Sequence, residues 1–306
     1  MKLIAPDYYG DFKCIAGACR HSCCVGWEID IDPESEARYA ALPGEFGKRV
    51  RASMEHGENG AFFRMDADER CPFLNVSGLC DMILELGEDS LCQICADHPR
   101  FRNFFTDREY IGLGLCCEAA GRLILGRQTP SKLEILEDDG GKECLSDDEM
   151  ELLEMMDDVA AFFRESSLPM LERVAGMLTE LGMPARLDYT SWAEFLSRLE
   201  RLDDSWKDEL DALKCGREKQ DMHPWEQPFE RLMEYLLYRH LPAALDDGCV
   251  DERIAFCCVM WLIVRRMCAV KDEMSFEHIV EVCRLFSSEI EYSDENIERI
   301  IEYMTA

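Results

Sequence analysis

The sequence predicts a mainly α protein, with an irregular cysteine-rich N-terminal region followed by an all-helical domain. Three observations carry that prediction. Ten of the 17 cysteines precede residue 118, the chain beyond residue 147 repeats apolar residues with a helical period, and glycine and proline fall between those runs. With 306 residues and 47% hydrophobic side chains, the chain is long enough to bury a proper core.

Residues 1–130 read as the cysteine-rich domain. WEIDID at 27–32 alternates as a short strand does, and 34–54 and 82–91 look helical. The cysteine blocks between them are broken by glycine and proline, so irregular backbone tied by metal is expected. Residues 131–147 read as a linker, because a glycine pair sits among acidic residues in LEDDGGKECLSDDEM. Residues 148–306 read as the helical domain. Ser146 or Asp147 can cap a helix carrying Met150, Leu153, Val159 and Phe162, and amphipathic runs follow at 168–182, 191–213, 226–240, 251–269, 275–290 and 294–304. That makes about seven helices, with no convincing strand among them. Cys257, Cys258, Cys268 and Cys283 lie inside apolar helices and read as core residues.

MKLIAPDYYGDF lacks the apolar run of a secretory signal, and the longest apolar stretch, IAFCCVMWLIV, is roughly half of what a bilayer needs. A soluble, cytoplasmic protein without a membrane partner is expected. Thiols there stay reduced, so cysteines should first be read as metal ligands, catalytic groups or small buried hydrophobes. The net charge of −30 would repel a phosphate backbone, which argues against nucleic acid and suits a lysine-presenting protein partner better.

Four blocks hold the chemistry: CIAGACRHSCC at 14–24, CPFLNVSGLC at 71–80, LCQICADHPRF at 91–101 and LCCEAAGRL at 115–123. Thiolates at short spacings on tight turns can converge on one ion or cluster. Eight or more sulfurs exceed the four that one zinc takes, which favours an iron–sulfur cluster over zinc. His21 and His98 read as surface or supporting residues rather than ligands.

The order FKCIAGACRHSCCVGW from Phe12, CPFL with GLC from Cys71 to Cys80, C-x2-HPR from Cys95, and the block from Leu113 to Ala119 resembles the flagellin lysine-N-methylase family. That family shares its cysteine-rich region with zinc- or iron-chelating cysteine-cluster proteins. The resemblance covers residues 12 to about 125; the helical half matches only in length and character. It implies an S-adenosylmethionine-dependent enzyme that methylates the ε-amine of flagellin lysines and carries a [4Fe–4S] cluster. It further implies ligands drawn from Cys14, Cys19, Cys23, Cys24, Cys71, Cys80, Cys95 and Cys116. Cys117 and His98 stand where the family shows proline and an aromatic, and Cys92 is optional.

No dinucleotide fingerprint supports an ordinary methyltransferase scaffold, since Cys117 stands where Gly112 and Gly114 would need a third glycine. The C-x3-C-x2-C spacing fails too, at Gly26. Two mechanisms stay open: a cluster with a free iron site that chelates the donor, or a metal that only ties loops while a pocket elsewhere positions donor and lysine. Tyr8, Tyr9, Phe12 and Trp27 are candidates to face a sulfonium or lysine cation, against a packing role. Glu118 is either a proton acceptor or a charge at a helix N-terminus, and Arg100 either pairs a donor carboxylate or bridges Asp97 or Glu118. The rival reading is a non-enzymatic metal-binding cysteine module with a helical interaction domain.

Overall fold

The computed structural model describes residues 1–165, 167–214 and 217–305. The chain forms two compact units, one of Lys13–Arg100 and a larger one of Met1–Phe12 with Phe101–Ala306.

The larger unit begins with strand β1 (Lys2–Pro6). The chain then enters the smaller unit, where β2 (Ile29–Ile31) leads into helices α1 (Pro33–Ala40) and α2 (Gly44–Ser53), followed by β3 (Met54–Gly57) and β4 (Gly60–Phe63). The strand order is β2-β4-β3, with both pairs antiparallel. The run expected as one helix over 34–54 is broken at Leu42-Pro43-Gly44, where proline cannot continue a helix and Gly44 takes a φ of +76°. Two short helices follow, α3 (Asp81–Leu86) and α4 (Gln93–Asp97). Ile29, Ile31, Tyr39, Val50, Phe63, Phe73 and Met82 fill this unit's core together with Cys71 and Cys92.

Back in the larger unit, β5 (Arg100–Phe104) and β6 (Arg108–Leu113) precede α5 (Glu118–Leu125) and β7 (Leu133–Asp138). The sheet order is β5-β6-β1-β7, with β1 parallel to β6 and antiparallel to β7. The linker expected at 131–147 is therefore corrected: six of its 17 residues form an edge strand. Every residue of β7 is exposed, so LEILED shows no buried alternation to signal a strand. The division between units falls instead at 12/13 and 100/101, because β1 and β6 pair across more than 100 residues of sequence.

Helices α6 (Asp147–Glu165), α7 (Met170–Glu180), α8 (Tyr189–Leu196), α9 (Ser205–Leu213), α10 (Glu226–His240), α11 (Ala244–Asp247), α12 (Val250–Ala269), α13 (Phe276–Phe286) and α14 (Asp294–Thr305) complete the unit, and a π-helical turn, Ser287–Glu291, extends α13. The protein is mainly α, as expected. The run over 191–213 divides into α8 and α9 because buried Glu289 accepts from the backbone N–H groups of Leu202 (2.9 Å) and Asp203 (2.6 Å), holding the chain out of a helix there. Helix α12 is the centre, buried almost throughout from Ile254 to Ala269 and packed against α7, α9, α10, α13 and α14. Trp261 donates from Nε1 to the Phe229 carbonyl at 2.8 Å, the partner a buried indole needs. Cys257, Cys258, Cys268 and Cys283 are fully buried core residues whose thiols burial pushes upward. Among the described residues, no helix is long and apolar enough to cross a membrane.

Candidate functional site

In the smaller unit, backbone hydrogen bonds join the first two cysteine blocks, and a side-chain cap fixes the third. The Cys71 N–H donates to the Cys24 carbonyl at 2.8 Å, and Val25 bridges Arg70 in antiparallel fashion. The second block folds back on itself: the Asn75 side chain accepts from the N–H groups of Ser77 and Leu79, Gly78 adopts a φ of +71°, and Leu74 bridges Cys80. Gly17 of the first block lies so close to this loop that a Cβ there would stand 2.7 Å from the Ser77 carbonyl. Cys92 and Cys95 sit at the N-terminus of α4, one turn apart and therefore on one face. A residue the sequence reading missed fixes that helix: Asp32 caps α1 through Ser35 N–H (2.9 Å) and α4 through Gln93 N–H (2.8 Å). The Gln93 N–H, ahead of the Ser35 contacts, holds the Asp32 carboxyl down at about 2.

The thiols of Cys24, Cys71, Cys80, Cys92 and Cys95 feel one another. Cys23 hydrogen-bonds Cys24 and, against burial, brings it down to about 7; Cys95 does the same in direction for Cys92 and is itself driven up. Burial pushes Cys71 up to about 12 and also raises Cys80, with neighbouring thiolates adding to both. Cys14 is exposed, its Sγ accepting from Ala16 N–H, and Cys19 donates to the His21 carbonyl. Such a set has the soft-donor chemistry that zinc and iron–sulfur clusters prefer. The described side chains nevertheless do not close to ligation: among the described residues, no group of three or more His, Cys, Asp or Glu could hold a metal ion. His98 is half-buried, and burial lowers it to about 4.

The larger unit contains a buried polar hub. Glu291, on the π-helical turn, accepts from the Tyr235 hydroxyl at 2.6 Å and pairs with His240 Nε2 at 2.7 Å, while Arg239 donates to its backbone carbonyl at 3.0 Å. Burial alone would raise this carboxyl; Arg239 and His240 outweigh it and hold it at about 2. Burial keeps His240 below its usual range, so a neutral imidazole with its proton on Nε2 fits the contact. The Arg239 guanidinium lies 4.8 Å from the ring centroids of both Phe101 and Tyr292. Cys116 belongs to this unit, hydrogen-bonded to Tyr292 and pushed up to about 12 by burial.

Beside the hub, α10, α6, the end of α5 and the start of β7 enclose a cavity of about 360 Å³. Tyr8, Tyr235 and Tyr238 line it together with Arg127, Lys132, Arg164, Arg231, Asp157 and Glu234. Its volume falls in the range of small-molecule sites, about 300–1,000 Å³.

The family model described as the FliB lysine N-methylase C-terminal domain matches residues 101–306. The chain belongs to the FliB lysine N-methylase family. Hub and cavity lie in the matched stretch, apart from Pro6 and Tyr8 of the cavity wall. The family match thus covers the helical half, where the sequence showed likeness only in length and character. Among curated relatives, lysine-N-methylases of Salmonella choleraesuis strain SC-B67 and Salmonella typhimurium strain LT2 are each 25% identical over 126 residues, which is 39% of this chain and 31% of theirs. A protein named flagellar biosynthetic protein FliU, of Salmonella muenchen, is also 25% identical over 126 residues, 39% of this chain and 75% of its own length. The match thus spans about a third of the two lysine-N-methylases. No solved structure matches.

Within this FliB-family chain the predicted donor-binding residues are distributed over both units. Tyr8 lines the cavity, with the Arg127 guanidinium 5.3 Å from its ring centroid. Tyr9 and Glu118 belong to the same unit but not to the cavity wall; Glu118 is buried in the first turn of α5 and pairs with Arg122 at 3.3 Å, the helix-terminal role. Trp27 and Arg100 belong to the smaller unit, where Arg100 donates to the Ala96 carbonyl at 3.1 Å. Arg164 on α6 and Arg231 on α10 went unnoticed because an arginine among the acidic residues of a helix looks like part of a solvated face.

Proposed function

We propose that this protein transfers methyl groups from S-adenosylmethionine to the ε-amines of flagellin lysines in the cytoplasm, and that the thiols of the smaller unit take up a [4Fe–4S] cluster or zinc. The observation that carries the reading is the family match over residues 101–306, the stretch that also supplies nearly all of the cavity wall. The names of the Salmonella relatives, lysine-N-methylase and flagellar biosynthetic protein, point to the reaction and the substrate.

The sulfonium donor supplies an electrophilic methyl group and leaves as a neutral thioether. The chain's own task is to place a deprotonated lysine in line with that methyl group and to keep water away. Tyrosine rings of the cavity wall suit a cationic guest. Asp157, exposed at the cavity, is a carboxylate positioned to take the proton that a lysine ammonium must lose before its lone pair can attack. The metal's part in this reading is to secure the loops of the smaller unit, with Cys24, Cys71, Cys80, Cys92 and Cys95 closing further to ligate it as it binds.

Incubation of anaerobically purified protein with flagellin and methyl-labelled donor tests the reading. Label on lysine is expected. A preparation that contains iron or zinc yet never labels lysine would instead be the non-enzymatic cysteine-cluster module.

A further inference from the structure

Strand β7 is the last strand of the sheet β5-β6-β1-β7, and among the described residues no strand lies on its outer side. Natural proteins blunt such an edge, because its free N–H and C=O groups are a template for another chain. Here the edge is open and apolar. Leu133, Ile135 and Leu136 are 51%, 56% and 42% exposed, and β7 holds neither proline nor lysine. Which backbone groups face outward follows from the ladder. In antiparallel pairing, residues bonded to the neighbouring strand alternate with residues whose groups point away from it. The Lys132 carbonyl accepts from the Asp7 N–H at 2.8 Å, and Pro6, which has no N–H to give, stands opposite Leu133. Leu133 and Ile135, on either side of Glu134, therefore turn N–H and C=O away from β1. The register shift opposite Leu3 and Ile4 ends this regular edge at Leu136.

Charge and position identify the occupant. From Ser131 to Gly141 the one basic residue is Lys132, against Glu134, Glu137, Asp138 and Asp139, and the carboxylates of β7 stand in exposed residues. A second copy of the chain fits poorly: β7 paired antiparallel with itself in centred register sets Glu134 opposite Glu137, and like charges across strands destabilise. A basic segment meets the opposite situation. The edge also begins at the cavity, because Ser131, Lys132 and Leu133 belong to the cavity wall, where Asp157 stands exposed.

We propose that an extended, lysine-bearing segment of the protein substrate adds to the four-stranded sheet as a fifth strand along Leu133–Ile135, with its target lysine at the cavity. The segment hydrogen-bonds to the outward backbone groups of Leu133 and Ile135 and sets flanking basic side chains on Glu134 and Glu137. This docking surface rests on the methyl-transfer reading and gives that site a means of holding a polypeptide. Main-chain hydrogen bonds supply affinity whatever the sequence, and the carboxylates select basic segments.

Binding of the full chain to immobilised monomeric flagellin, measured by biolayer interferometry without methyl donor, tests the docking apart from the chemistry. Ile135→Pro removes an outward N–H and spares the bonds to β1. Its affinity for flagellin should fall about 10-fold, the worth of one or two backbone hydrogen bonds. Ile135→Lys places on the edge the charge that natural edges use as a guard, and provides the same comparison should the proline variant not fold. Replacing Glu134 and Glu137 together by glutamine should flatten the loss of flagellin affinity that the wild-type chain shows as salt is raised. Wild-type affinity in a folded Ile135 variant overturns the proposal, as does failure of the wild-type chain to bind flagellin. Self-association that the Ile135 variants abolish while flagellin binding stays intact also overturns it, in favour of a second copy. Labelled lysine together with edge-independent binding would defeat this docking surface and leave the methylase reading standing. Edge-dependent binding without labelled lysine would do the reverse.

Discussion

Replacing Glu291 by glutamine nearly conserves shape and deletes one buried charge. The carboxylate is enclosed completely and holds Tyr235, His240 and Arg239 at once. Its folded-state value of about 2, against an ordinary 4.5, corresponds to about 3 kcal/mol of preference for the ionised form. Removing one member of a buried ion pair costs about 3–5 kcal/mol by independent experience, since Arg239 would be left charged and enclosed. Urea unfolding of Glu291→Gln at pH 7 should therefore show a loss of about 3 kcal/mol with an unchanged denaturant slope. The acid dependence supplies a second check. A carboxyl depressed by folding contributes stability that is present above its unfolded value and lost as pH falls through its folded one. The wild-type chain should lose that contribution between about 4.5 and about 2, and the variant should lack that part of the curve. A loss under about 1 kcal/mol, or an unaltered acid limb, would refute the hub as an electrostatic keystone.

Asp32→Ala removes the cap of two helices, so about 2 kcal/mol should be lost in denaturant unfolding, about 1 for each cap, and protection of α4 amides in hydrogen exchange should fall with it. Gly112→Ala drives a Cβ to 2.3 Å from the Phe101 ring, which has Arg239 against one face and Tyr235 and Tyr238 at its edges. Overpacking of about 1–3 kcal/mol is expected, read as a drop of several degrees in calorimetric Tm. Cys71→Ser and Cys95→Ser should each lower the iron or zinc content of anaerobically prepared protein, whereas Cys257→Ser, in the core of α12, should leave it unchanged; equal metal in all three variants would remove the thiol group as the binding place.

The helical half was largely legible because each of its helices must bury a stripe, and that leaves a period in the sequence. Helix α12, with Cys257, Cys258 and Cys268 in the core, fell where the apolar run placed it. The grouping of cysteines was legible in the same local way, through turn residues such as Gly78 and short spacings. Strand β7 was not, since an edge strand with no buried face carries no alternation, and its partner β1 lies more than 120 residues away. The break between α8 and α9 escaped for a related reason: it is imposed by Glu289, over 80 residues downstream.

Local pattern was therefore enough to establish the helical class, the membership of core cysteines and the family, because periodicity, turn chemistry and motif order act over a few residues at a time. The sites required the folded chain. Arg231 and Glu234 are one helical turn apart and look like any exposed pair, and Glu291 ends an acidic SSEIE segment that reads as surface. Packing turned the first two toward a cavity and sealed the third among Tyr235, Arg239 and His240. Burial is what gives a charge its strength or its cost, and burial is decided by residues remote in sequence.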